Sequence, residues 1–405
     1  MTLYANPARA WARTALAVAA AIGLVAGTLS GCGGGGVDEP GTTPTSGAPT
    51  TKGNFTALVT FGDSLSDVGA YAPATSLAGN GSAPYFGGKF TVNGPGGTVW
   101  VENLATTMGV VVTPAEVGFG ATSFKCPAAA NAALAGTCTA YGQGGSRVTD
   151  PNGIGKAGGA LTVPVKTQIA NHLTRFTTFK ATDLIVLWGG NNDAFIQFGT
   201  FSATATQIQT DAAAGRITAD EANRRLFSAQ TAAEDEMKKA ALELAGYVKT
   251  EILAKGGRYV AVFNLPDSTL TPFGGTLPAT ARPVLTALVD TFNLWLREGL
   301  GGLPVKIVDQ NTAGKDVYAN PARYGLTNNT VPACDAAKIS AITGGAVTDG
   351  SSLFCNGTPG VPFNGVRTGA SATTWQFADG VHPTSGGHKV ISDYVAAQLR
   401  GFGWI

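Results

Sequence analysis

Short apolar runs rich in Val, Ile and Leu recur along the chain, separated by stretches of helical character. The clearest are Ala57–Phe61, Asp183–Trp188, Tyr259–Phe263 and Val305–Val308. Such runs fit strands buried on both faces, and their alternation with helices predicts a parallel sheet covered by helices. Between the second and third runs, residues 218–255 are dominated by Ala, Glu, Lys, Arg and Leu. That composition predicts one or two covering helices, ended by Gly256-Gly257. A last helix is predicted from about Thr384 to Arg400, where Val390, Ile391, Tyr394, Val395 and Leu399 recur at helical spacing. Residues 113–140 and 312–375 are rich in Gly, Ala and Thr and read as loop insertions that supply pocket walls. There is no internal repeat, and no second domain is predicted.

Three of the apolar runs lead directly into polar turns: Gly62-Asp63-Ser64, Gly189-Gly190-Asn191-Asn192-Asp193 and Asn264-Leu265-Pro266-Asp267. Ligands of open α/β sheets bind beyond the carboxyl ends of the strands. The three turns therefore belong to one face and one site.

The N-terminus has a different pattern. Arg9 and Arg13 precede an apolar run from Ala15 to Leu29, with no acidic residue before Asp38. The run is short for a membrane-spanning helix, which needs about 20 residues, and fits a secretory signal peptide. It ends in Leu29-Ser30-Gly31-Cys32, which resembles the lipobox of bacterial lipoproteins. The resemblance implies cleavage before Cys32 and a diacylglycerol on its thiol. Residues 33–54 have almost no large apolar side chain and read as a flexible tether. The expected organisation is a signal peptide over 1–31, a lipidated Cys and tether over 32–54, and one folded domain over 55–405. An exported protein, anchored as an outer-membrane lipoprotein or otherwise secreted, follows from this reading.

Composition narrows the function classes. Lys plus Arg number 27 and Asp plus Glu 26, and loss of Arg9 and Arg13 leaves 25 basic residues. A nearly neutral chain gives no electrostatic reason to bind nucleic acid. Five Cys occur, and assigning Cys32 to lipid leaves Cys126, Cys138, Cys334 and Cys355. Four Cys in an oxidising compartment allow three disulfide connectivities. Local pairing, Cys126 with Cys138 and Cys334 with Cys355, would staple the two insertions. No CxxC is present and His is scarce, so no common zinc pattern is met.

Only His172, His382 and His388 are available as an imidazole base. His172 lies in a predicted helix start without a nearby acid and reads as packing; His388, in Ser-Gly-Gly-His, reads as capping or packing. His382 differs because Asp379 precedes it by three residues across Gly380, close enough to fix its tautomer and stabilise an imidazolium. The matching nucleophile is Ser64, directly beyond a strand in Gly62-Asp63-Ser64-Leu65. The Gly-x-Ser-x-Gly elbow of other α/β hydrolases is missing.

Gly62-Asp63-Ser64-Leu65, Gly144-Gly145, Gly190-Asn191-Asn192-Asp193 and Asp379-Gly380-Val381-His382 resemble, in order, the four blocks of GDSL esterases/lipases, the SGNH hydrolases. Asn93-Gly94-Pro95, Asn264-Leu265-Pro266-Asp267 and His382-Pro383-Thr384 support the resemblance, which runs from about Ala57 to Leu399. Val68, Ala70 and Ser146 depart from frequent family residues, outside the reactive positions. The resemblance implies a three-layer α/β/α, flavodoxin-like fold with a five-stranded parallel sheet. It implies Ser64 as nucleophile, Asp379 and His382 completing a triad, and an oxyanion hole formed by Ser64, Gly145 and Asn192; Asn191 takes the variable position. It implies hydrolysis of a carboxylic ester or lipid, with no metal and no cofactor, and a membrane partner through the anchor. An acyltransferase or a polysaccharide or polyester esterase would use the same triad. A non-catalytic surface-binding lipoprotein is the alternative from another class.

Overall fold

The computed structural model describes residues 47–405; the expected signal peptide and Cys32 lie outside the described residues. Four parallel strands form the central sheet: β1 (Ala57–Gly62), β4 (Asp183–Trp188), β5 (Tyr259–Phe263) and β6 (Lys306–Val308), in the order β1-β4-β5-β6. A separate antiparallel hairpin pairs β2 (Glu116–Phe119) with β3 (Thr122–Lys125). All residues of β4 and β5 are buried, as expected for strands covered on both faces.

Side-chain alternation sorts the two faces. Trp188 and Phe263 meet Trp100 of helix α1 (Trp100–Met108), with ring centroids 6.0 and 5.2 Å away. Phe61 points to the opposite face, toward His172 of helix α2 (Val165–Phe176). There, α3 (Asn191–Ala213), α4 (Ala219–Tyr247) and α6 (Arg282–Leu300), which follows the short α5 (Pro272–Thr276), pack on one another. The last helix, α9 (Ser385–Gly401), packs on α1, with Thr384 capping the Gly387 amide. The predicted three-layer α/β/α arrangement is therefore present.

Three expectations need correction. Five strands were expected, but the fifth position is reduced to a single parallel bridge between Ala140 and Thr60. The chain bends away at Gly142, tight against Ser66, and Gly144 bonds to the site instead of extending a ladder. Insertion 312–375 is not all loop. It begins within α7 (Gln310–Ala319) and carries α8 (Ala336–Ile342), capped by the Asp309 and Asp335 side chains. The tether also ends earlier than residue 54: the Trp404 indole donates to the Pro49 carbonyl at 2.7 Å, and Gly53 N–H to the Trp404 carbonyl at 2.9 Å. Burial of the indole draws the strap onto the domain.

Helix α4 fulfils its expectation and passes through a π turn and a 3-10 turn to end at Gly256. The structure pairs Cys126 with Cys138 and Cys334 with Cys355, one disulfide in each insertion.

Candidate active site

The first site element is the end of β1. Any side chain at Gly62 would lie 2.2 Å from the Trp188 carbonyl, so only glycine lets β1 and β4 end side by side. Gln168 of α2 clamps this glycine, accepting from its N–H at 2.9 Å and donating to its carbonyl at 2.8 Å. Asp63 then caps the 3-10 turn Ser64–Ser66 by accepting from Leu65 N–H. The turn carries the Ser64 hydroxyl to the floor of a cavity of about 560 Å³.

His382 Nε2 lies 2.8 Å from Ser64 Oγ, and His382 Nδ1 lies 2.9 and 2.8 Å from the two Asp379 oxygens. The carboxylate favours the proton on Nδ1 and leaves the Nε2 lone pair toward the hydroxyl. Burial opposes the charge on Asp379, but His382 and the hydrogen bonds from Ser352 and Val381 outweigh it and hold the carboxyl well below the usual range. Burial also opposes the charge on His382; Asp379, with Asp63 and Asp349, outweighs it and raises the imidazole above its ordinary value.

Donors face the same cavity. Among the described residues, the backbone N–H groups of Ser64 and Gly145 have no hydrogen-bond partner. Gly145 has φ +78°, and a side chain there would lie 1.9 Å from the Ile154 carbonyl. Asn192, in the first turn of α3, donates one amide proton to the Ser146 carbonyl at 2.9 Å, leaving its second unassigned. Asn191 turns instead to Asp63, donating to Oδ2 at 2.9 Å. The structure thus brings Ser64, His382, Gly145 and Asn192 together around one cavity, with Asp379 bonded to His382 behind its wall. His172 and His388 are buried away from it, with pKa values pushed down by burial to about 4 and about 3.

Sequence reasoning missed the residues that hold these groups. Asp67 accepts from Gly69, Ala70 and Gly144 N–H, tying the Ser64 turn to the glycine loop; burial raises its pKa to about 6. Tyr71 donates to the Gly144 carbonyl and accepts from Thr162 N–H. Arg147 bridges Asp193 at 2.9 Å and Asp150 at 2.6 Å. The only sequence signal was proximity: Asp67 and Arg147 lie within three residues of motif positions.

Both insertions reach the cavity. Phe119 of the hairpin lines one wall, and Val347, Leu353 and Phe354 line another, as expected of pocket-building insertions. Apolar groups dominate the lining, with Lys156 and Asp349 as charged members.

The model of the GDSL-like Lipase/Acylhydrolase family matches residues 58–395. This chain belongs to that family. The GDSL-like match covers every site residue above, from Ser64 to His382. Among curated relatives, Esterase EstA of Pseudomonas aeruginosa and Esterase EstA of Pseudomonas putida are each 34% identical over 146 residues, 35% of this chain and 20% of theirs. An uncharacterized protein of the trpE-trpG intergenic region of Pseudomonas putida is 31% identical over 149 residues, 36% of this chain and 22% of its own. The match spans about a fifth of the length of these relatives.

Proposed function

We propose that this chain is an exported, lipid-anchored serine esterase that hydrolyses carboxylic esters through an acyl-enzyme on Ser64. The observation that carries the reading is the unbroken relay from Ser64 through His382 to Asp379 at the floor of an apolar cavity. His382 takes the hydroxyl proton as Ser64 Oγ attacks the ester carbonyl, and Asp379 stabilises the imidazolium. The oxygen that becomes negative is received by the Ser64 and Gly145 N–H groups and the Asn192 amide. Return of the proton from His382 releases the alcohol. Water, deprotonated by the same imidazole, then frees the acid and restores Ser64.

An ester panel from acetyl to palmitoyl, run beside Ser64→Ala, tests this reading. We expect turnover on esters with apolar acyl groups and loss of nearly all of it in the variant; full activity of Ser64→Ala would refute it.

Anchoring rests on Leu29-Ser30-Gly31-Cys32 after the charged and apolar N-terminal segments. Acylated Cys32 would carry two or three chains, enough for stable membrane attachment. Gly33, not Asp, follows the Cys and favours the outer membrane. Cys32→Ser is expected to release active enzyme into the soluble fraction; unchanged membrane fractionation would contradict acylation. The hydrolase domain then begins at the strap near Ala48.

A further inference from the structure

Asp379 is held from two directions. Its Oδ1 accepts from Val381 and His382 N–H, at 3.0 and 2.8 Å, inside its own turn. Its Oδ2 accepts from Ser352 N–H at 2.8 Å, a donor 27 residues upstream in the second insertion. Among the described residues, Ser352 is the one residue outside that turn that donates to this carboxylate.

The Ser352 amide is itself fixed by a covalent ring. Cys355 N–H donates to the Ser352 carbonyl at 3.0 Å, and Cys355 is bonded to Cys334. Cys334 N–H donates to the Ala378 carbonyl at 2.8 Å, one residue before Asp379. The path therefore closes on the acid: Asp379, Ala378, Cys334, Cys355, Ser352 and Asp379 again. Asn93 secures the same turn. It is buried, and its amide donates toward the Ser352 and Cys355 carbonyls at 3.1 Å, while its N–H donates to the latter at 2.8 Å. This gives the Asn93-Gly94-Pro95 stretch a task at the site.

The geometry points to the Cys334–Cys355 disulfide, with Asn93, as a positioning device that keeps the Ser352 amide on Asp379 and so holds the triad acid against His382. It deepens the serine-esterase reading and rests on it. Loss of the donor leaves Oδ2 with only its contact to Nδ1, lets the carboxylate rotate and weakens its hold on the imidazolium. A small misplacement of a catalytic group can lower turnover by about 100-fold.

The test is the pH profile of kcat/KM on a soluble short-chain ester. Ser352→Pro removes the N–H. Proline suits the first position of a 3-10 turn, and Ser351, at φ −49° and ψ 126°, has a conformation allowed before proline. Expected are a fall in kcat of roughly 10- to 100-fold with little change in KM, and an acid limb shifted to lower pH. Ser352→Ala keeps the amide and loses only the hydroxyl, and is expected to shift the limb much less than Ser352→Pro. Cys334→Ala/Cys355→Ala and Asn93→Ala are expected to move it in the same direction as Ser352→Pro. His382 also senses Asp63, Asp67, Asp349 and His388, none of which is substituted in these variants. Ser352→Pro with unchanged kcat and limb, or Ser352→Ala with an equally shifted limb, would overturn the role of the amide. A normal profile in the Cys double variant, beside a shifted Ser352→Pro, would overturn the role of the disulfide. Ser64→Ala is measured alongside, and activity there would instead refute the triad itself.

Discussion

The side-chain amide of Asn192 carries two protons, and the Ser146 carbonyl engages only one of them. The other is free to meet an oxyanion. Asn192→Ala is therefore expected to lower kcat by about 10²–10³-fold with little effect on KM. Its neighbour does different work. Asn191 donates to Asp63, a carboxyl that burial pushes up to about 6 despite that bond. Asn191→Ala should change kcat far less and lower stability by about 1–3 kcal/mol, because a buried acceptor loses its donor. Denaturant unfolding beside steady-state kinetics separates the two outcomes; reversed roles would mean the motif is misregistered by one residue. Asp67→Asn has a predictable sign as well. Its amide nitrogen would replace an oxygen that accepts from Gly69 and Ala70 or from Gly144, setting donor against donor beside the oxyanion loop. A kcat loss of about tenfold or more is expected.

The elements that carry the site are joined by contacts that leave no local pattern, and this separates what the sequence reveals from what it hides. Ser64, Asn192 and the Asp379–His382 pair sit in short motifs whose chemistry is readable in a few residues. Gln168 acts on Gly62 across 106 positions, Arg147 on Asp193 across 46, and Ser352 on Asp379 across 27. All four strands of the sheet were legible over nearly their full length, three of them because burial on both faces leaves continuous apolar runs. The fifth was not, since one bridging alanine has no periodicity. Helices α7 and α8 were hidden by their shortness and by the Gly- and Thr-rich stretches around them, although Asp309 and Asp335 stood as capping signals. At this scale Arg147 decides most. It joins the glycine loop to the start of α3 through Asp193, whose charge burial disfavours and Arg147 supports. Arg147→Ala should destabilise the fold by about 3–5 kcal/mol. Arg147→Lys should recover only part of this, because an ammonium cannot hold two carboxylates with a planar fork. Recovery of full stability by lysine would argue against the bridge.

Across the whole molecule, buried titratable groups set opposing responses to pH. His172 packs against Phe61, Tyr141, Phe176 and Phe179, and neither ring nitrogen has a hydrogen-bond partner among the described residues. Its pKa falls from 6.5 to about 4 through burial, aided by Arg175 and Lys180. The folded state therefore binds fewer protons than the unfolded chain between those values, and stability is lost as pH falls through this window. At pH 5 the loss from this residue is about 2 kcal/mol. Asp63 and Asp67, raised to about 6 by burial, act the other way: ionising them costs stability as pH rises from 3.8 through about 6. His172→Phe isolates one contribution, and should raise Tm more at pH 5 than at pH 8. An equal change at both values would mean that His172 is not held neutral.

Activity has its own sign. Turnover needs neutral His382, whose pKa is raised, so kcat/KM should fall as pH drops through a value above that of a free imidazole. Asp379→Asn should lower both kcat and the position of that limb.

The central claim is that Ser64 is a nucleophile activated by His382. A fluorophosphonate that reacts only with an activated serine, followed by peptide mapping of the intact folded protein, tests it most directly. The account predicts one adduct per chain, on the peptide carrying Ser64. In His382→Ala, labelling should slow by about 10²–10⁴-fold. An adduct on another serine, or labelling of Ser64 at the same rate without His382, would contradict it.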